Sequence, residues 1–159
     1  MATRIGGVMN KPTLTHMSRF DMKRMLKNNE VPDNTLIISI NDTETEIEQV
    51  MALWKRMGNR KSVCIDVYRF SDDNESFLER QAEAIQHTVD VEPYSNIIVH
   101  CFLGISRSAA VAKWINDYLK LDMQKYNEYR QHNIHVYDTL CKVSGVDNIN
   151  NYYRDLEED

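Results

Sequence analysis

Cys101 and Arg107 lie six positions apart, at the two ends of the stretch Cys101-Phe102-Leu103-Gly104-Ile105-Ser106-Arg107, which Ser108 follows. Before the cysteine, Ile97, Ile98 and Val99 form an apolar, β-branched run that suits a strand buried on both faces. After the arginine, Ala109, Ala110 and Ala112 favour a helix starting at Arg107 or Ser108, with Ala110, Val111, Trp114, Ile115, Tyr118 and Leu119 repeating on one face. A tight turn into a helix start gathers backbone N–H groups in one concavity, and the helix dipole adds positive potential there. A tetrahedral oxyanion fits such a cradle. Thiols at helix N-termini beside cations ionise at a pKa of about 3.5–7.5 rather than ~8.5, so Cys101 is expected as a thiolate nucleophile. Arg107 supplies a planar fork for two phosphate oxygens, and Gly104, without a Cβ, lets the loop close on the anion. The chemistry implied is the binding of a tetrahedral, phosphate-like oxyanion beside a thiolate.

His100-Cys101-x-x-Gly104-x-x-Arg107-Ser108 resembles the HCxxGxxR(S/T) signature of the cysteine-dependent protein tyrosine phosphatase superfamily, and Gly104-Ile105-Ser106-Arg107-Ser108 is most similar to its dual-specificity branch. The resemblance implies that Cys101 attacks phosphorus while the backbone of Phe102, Leu103, Gly104, Ile105, Ser106 and Arg107, with the Arg107 guanidinium, binds the phosphate. It also implies that the Ser108 hydroxyl stabilises the departing thiolate and that His100 supports the loop and helps keep Cys101 ionised. Ser106 is a loop hydrogen-bonder or simply a small residue that fits. The family's general acid is an aspartate on a mobile loop some thirty residues before the cysteine. Asp72 stands 29 residues upstream, in the exposed stretch Ser71-Asp72-Asp73-Asn74-Glu75-Ser76; Asp73 is the alternative acid, and Asp66, within a strand pattern, the third choice. Asn133 is a candidate to position the second-step water, as a polar side chain from a later loop does in some relatives. No metal and no cofactor is implied. The resemblance is specific over about Phe70 to Leu119.

The rest of the chain supplies the elements that must position this loop. Residues 1–12 read as a loose N-terminal arm. Thr15 or Ser18 is placed to cap a helix running to Asn28, with Phe20, Met22, Met25 and Leu26 on its apolar side. Thr35 to Ile40 reads as a central strand, and Thr43 with Glu46 as a capping box for a helix that buries Ile47, Val50, Met51 and Trp54 and stops at Gly58-Asn59. A strand over 62–70 follows, then a helix begun by Ser76 with Phe77, Ala84, Ile85 and Val89 toward the sheet. Beyond Leu119 come a short helix from Met123 to Arg130, a turn at Gln131-His132-Asn133, a helix from Val136 to Val143 ended by Gly145, and a last helical turn or two between Asn148 and Leu156. Residues 155–159 read as an acidic tail. Strands alternating with helices imply a single α/β domain over residues 1–159, with a central, mostly parallel, twisted sheet of about 4–5 strands flanked by helices. In such sheets ligands bind beyond the carboxyl ends of the strands, where Cys101 falls.

With 159 residues the chain is long enough to bury about two-thirds of its unfolded surface. Cys64, Cys101 and Cys141 are an odd, unpatterned set that suggests neither disulfides nor zinc. Cys64 and Cys141 read as small core residues, with a protective disulfide to Cys101 under oxidation as the less favoured role. His16, His87, His132 and His135 show no ligand spacing. The early residues lack an apolar signal core and no run approaches a membrane span of about 20 residues, so a cytoplasmic location and no membrane partner are expected. The net charge of −5 argues against nucleic acid as a general partner. The apolar Phe102, Leu103 and Ile105 leave the loop without the extra lysines of the superfamily's phosphoinositide phosphatases. The expected partner is therefore a phosphorylated protein or peptide, bearing phosphotyrosine and also phosphoserine or phosphothreonine. Two alternatives remain open: an inactive phosphate-binding module, and a phosphatase for RNA ends or another non-protein phosphate, which needs basic or aromatic pocket walls. The oligomeric state is left open.

Overall fold

A computed structural model describes residues 3–5, 8–57, 62–73 and 76–147. Four strands, β3 (Thr13–Ser18), β4 (Thr35–Asn41), β5 (Val63–Arg69) and β6 (Asn96–Cys101), form one fully parallel sheet in the order β3-β6-β4-β5. The central pair alternates strictly. Leu36, Ile38 and Ile40 of β4, with Ile97 and Val99 of β6, enter the larger core, whereas Ile37 and Ile98 enter the smaller one on the opposite face. Apolar residues on both faces mark strands covered on both sides.

Helices α1 (Arg19–Lys27) and α2 (Glu44–Arg56) cover the smaller face through Met22, Leu26, Val50 and Leu53. The other face carries α3 (Glu79–Val91), α4 (Arg107–Tyr118) and α6 (Ile134–Ser144), with α5 (Gln124–Asn127) beside α4. Helix α4 is buried on every side from Arg107 to Asn116, because α6 and α5 pack over the face that the sheet does not cover. The crossovers bring the carboxyl ends of β3, β4 and β6 together, and Cys101 is the last residue of β6.

Several local signals read from sequence operate as expected. Thr43 Oγ1 accepts the Glu46 N–H at 3.2 Å and Glu46 Oε1 accepts the Thr43 N–H at 3.1 Å, a complete capping box. Gly145 closes α6 in a left-handed conformation at φ +78°.

Other expectations are corrected. The segment expected to be a loose arm contains two strands, β1 (Thr3–Ile5) and β2 (Val8–Asn10), paired antiparallel apart from the main sheet. Residues 13–18 form the edge strand β3, paired with β6 from Thr13↔Asn96 to Ser18↔Cys101. Only Leu14 of this strand is fully buried among apolar residues, which left its period weak. Helix α3 starts after Leu78, not at Ser76, and buries Ala82 rather than Ala84 with Ile85 and Val89. Ser76 instead donates and accepts within the 71–76 turn. The helix expected over 123–130 shrinks to α5, and α6 begins at Ile134, capped by Asn133. Gly58-Asn59, the 148–156 segment and the acidic tail lie outside the described residues.

Ser18 ends β3 and caps α1 by accepting the Asp21 N–H at 3.1 Å. Ser18→Ala is expected to lower unfolding stability by about 1 kcal/mol with an unchanged denaturant slope, measured by urea titration followed by circular dichroism.

Candidate active site

The loop from Phe102 to Ser106 joins β6 to α4, and its carbonyls are drawn outward by four neighbouring elements. The Arg19 N–H at the start of α1 donates to Phe102 O at 3.2 Å. His16 Nδ1, on β3, lies 2.9 Å from Gly104 O; since a carbonyl only accepts, the ring is the Nδ1–H tautomer. The Tyr129 hydroxyl, after α5, donates to Ile105 O at 2.5 Å. The Asn133 N–H, at the start of α6, donates to Ser106 O at 3.1 Å. In a trans peptide the N–H points opposite to the preceding carbonyl, so the N–H groups of Leu103, Ile105, Ser106 and Arg107 turn toward the loop's centre. Gly104 completes the turn at φ +77°, and a Cβ there would stand 2.5 Å from the backbone of Met17 and Ser18.

Cys101 lies at the floor of this ring, buried, with its Sγ 3.2 Å from the donating Gly104 N–H. The Cys101 thiol donates to Ser108 Oγ at 3.1 Å; with the sulfur ionised, the same hydroxyl is placed to donate back. Arg107, also buried, gives its two Nη1 hydrogens to Asp42 Oδ1 at 2.7 Å and Phe70 O at 2.8 Å, and one Nη2 hydrogen to Asp42 Oδ2 at 3.3 Å. The donor inventory of a guanidinium then leaves Nε–H and the second Nη2–H on one edge, spaced for two oxygens of a tetrahedral anion. Asp42 was not singled out from sequence. Its only signal was its place just past the carboxyl end of β4, where the ligands of such sheets collect.

The three candidate acids separate clearly. Asp72 is exposed and reaches the loop: its Oδ1 accepts from Ser106 Oγ at 2.9 Å and from Asn133 Nδ2 at 2.5 Å. Asp73 turns back on its own segment, accepting from Ser71 Oγ and from the Ser76 N–H at 2.8 Å. Asp66 stays in β5 and accepts from Thr88 Oγ1. Asn133 thus holds Asp72, Ser106 and the first turn of α6, whose Val136 N–H it caps at 3.0 Å.

Below the loop, on the α1 and α2 face, lies a buried polar network that sequence reading missed. His100 Nε2 stands 2.6 Å from Ser39 Oγ, which also accepts from Asn41 Nδ2 at 3.0 Å. Arg19 donates to Asn41 Oδ1 at 3.3 Å, Glu46 O at 3.1 Å and Gln49 Oε1 at 2.6 Å. Burial pushes the His100 pKa down to about 4; the Cys101 backbone offsets part of this, and the charges of Arg19 and Arg107 reinforce it. With its pKa lowered, the His100 ring brings no positive charge to Cys101 at neutral pH. Cys64 and Cys141 are free thiols, and burial drives Cys141 up to about 12. Among the described residues there is no cluster of three His, Cys, Asp or Glu able to hold a metal, and no helix long and apolar enough to cross a membrane.

The fold matches solved phosphatase structures. One is the PTP-2 phosphatase of Cydia pomonella, 19% identical, with a TM-score of 0.52 and 87% of each chain covered. Another is the human tyrosine phosphatase-like serine/threonine/tyrosine-interacting protein, 20% identical, with a TM-score of 0.40 over 70% of this chain and 76% of that one. No protein-family model matches the chain, and no curated protein matches it. The likeness to the first structure shows that this chain has the fold of a phosphatase.

His100 is held near 4 in the folded state against 6.5 in an unfolded chain. The unfolded chain thus binds the extra proton first, and stability is full above about pH 6.5 and falls as pH drops toward 4. His132, also pushed to about 4 mainly by burial, acts in the same sense. Replacing His100 by Gln should flatten this acid-side loss by on the order of 3 kcal/mol across that window. Urea unfolding at a series of pH values checks it; equal slopes in both proteins contradict the assignment.

Proposed function

We propose that this chain is a phosphatase that hydrolyses phosphate monoesters of proteins, phosphotyrosine together with phosphoserine and phosphothreonine, through a phosphocysteine intermediate. The observation that carries the reading is the Cys101 sulfur at the floor of the loop, 3.2 Å from the Gly104 N–H, with Arg107 held beside it by Asp42 and Asp72 held against the loop by Ser106.

The Cys101 thiolate attacks phosphorus in line with the ester oxygen. The S–P bond forms as the P–O ester bond breaks, while the N–H groups and the free edge of Arg107 hold the equatorial oxygens. Asp72 gives the departing oxygen its proton. With Oδ1 already accepting from Ser106 and Asn133, Oδ2 is the oxygen that carries it. In the second step Asp72 takes a proton from water as the water attacks the phosphocysteine, and the S–P bond breaks with Ser108 donating to the released thiolate. Asp42 acts through Arg107 by fixing the plane of the guanidinium. The exposed side chains of Leu103 and Ile105 border the loop, and their apolar surface, without added lysines, suits the phosphorylated side chains of a protein.

With para-nitrophenyl phosphate and chelator present, Cys101→Ser is expected to lower kcat by about a thousandfold or more and Arg107→Ala by about a hundredfold or more. With a phosphotyrosine peptide, Asp72→Asn should lower kcat by about a hundredfold and remove the basic limb of the pH profile, whereas Asp73→Asn should leave both in place. An inert wild type that still binds a phosphopeptide through Arg107 would instead support the binding-module reading.

A further inference from the structure

Beside the phosphate loop a groove of about 660 Å³ runs along α1, walled by Phe102 and Leu103 on one side and by Phe20, Lys23, Arg24, Lys27 and Asn28 on the other. Its aromatic and aliphatic walls are open to solvent: Phe20 is 73% exposed, Leu103 67% and Phe102 54%. Phe20, Phe102 and Leu103 thus gather around one opening beside the loop that follows Cys101. The groove is also cationic, in a chain whose net charge is −5. Arg24 is paired with Asp21 at 3.3 Å, whereas Lys23 and Lys27, one helical turn apart, have no carboxylate partner among the described residues. Two unpaired ammonium groups on one face of α1 thus sit next to the loop that holds Cys101.

The opposite flank of the loop has the reverse character. A second cavity of about 560 Å³, lined by Asp72, Ser106, His132, Asn133, His135 and Asp138 among others, presents carboxylates. A substrate lying across both flanks would meet negative charge on the Asp138 side and positive charge on the α1 side.

Resting on the phosphatase reading, we propose that the α1 groove is a substrate subsite for an acidic, partly apolar peptide segment flanking the phosphorylated residue. Lys23 and Lys27 pair with Asp or Glu side chains, and Phe20, Phe102 and Leu103 cover an apolar residue between them. The nine residues of α1 span about 13 Å, and an extended peptide covers that length with about four residues. The selectivity is therefore read over roughly the four positions on one side of the phosphorylated residue.

The test compares two phosphotyrosine peptides of equal length, one with Asp and Glu at four flanking positions on either side in turn, the other with Ala there. The wild type is expected to show a kcat/KM about tenfold higher for the acidic peptide on one flank only, expressed in KM and diminished by salt. Lys23→Glu/Lys27→Glu should erase or invert that preference, with the Ala peptide cleaved as by the wild type. Equal kcat/KM for both peptides, or a preference untouched by the double substitution, would overturn the subsite. So would a 5′-phosphorylated single-stranded RNA or a soluble phosphoinositide that outcompetes the acidic peptide in a Lys23- and Lys27-dependent way, since the groove would then serve a different ligand. If para-nitrophenyl phosphate and both peptides are inert, the phosphatase reading has failed. The groove is then read by fluorescence polarisation of the labelled peptides: tighter binding of the acidic one, lost in Lys23→Glu/Lys27→Glu, sustains the subsite, and equal binding overturns it.

Discussion

The site depends on where the carbonyls of four residues point. A loop offers its N–H groups to an anion only if the carbonyls of the same peptides are satisfied elsewhere, because a buried, unpaired carbonyl costs on the order of 1–3 kcal/mol. Here Phe102, Gly104, Ile105 and Ser106 have their carbonyls taken by α1, β3, the segment after α5, and the start of α6. Each acceptor bond made outside the ring orients one donor inside it. The cradle is thus a product of the packing of the whole domain and not of the loop sequence alone, and its donors are fixed before any ligand arrives, which is the condition for strong electrostatic stabilisation.

The same logic extends beneath and across the ring. Ser39, Asn41 and Arg19 form a hydrogen-bonded floor beneath His100, the residue that precedes Cys101 in β6. Across the mouth, Asp42 and the Phe70 carbonyl take one edge of Arg107 and leave the other for oxygen atoms. Asn133 links Asp72, the 102–106 loop and α6 in one contact set. The elements that carry Cys101, Arg107 and Asp72 are therefore locked to one another through bonds that belong to none of the three side chains alone.

What was legible from sequence is what is written locally. The Cys101-to-Ser108 spacing, the Thr43 capping box, the Ser18 cap and the Gly145 stop each depend on residues no more than about one or two turns apart, and sequence order displays them directly. Asp72 was legible for a related reason, as an aspartate on a polar loop after a strand, although only the bonds to Ser106 and Asn133 separate it from Asp73. His16, Arg19, Asp42 and Tyr129 were not legible, because the atoms they hold lie tens of residues away and are brought near by strand order and helix packing. Edge strand β3 escaped for a different reason: with one fully buried apolar residue, it carries almost no alternation. The basic and aromatic walls along α1 were likewise invisible, since Phe102 and Phe20 share a groove only once β3 and β6 are paired.

The central claim is that Cys101 forms a covalent bond to phosphorus. The direct measurement is intact-protein and peptide mass spectrometry after rapid acid quench of the Asp72→Asn enzyme with a fast-leaving aryl phosphate, a variant in which the thiolate still attacks while hydrolysis of the intermediate lacks its base. One added phosphoryl group is expected, located on the peptide containing Cys101 and absent from Cys101→Ser. Phosphate on any other residue, or turnover with no phosphoryl group on the protein at any quench time, would contradict it.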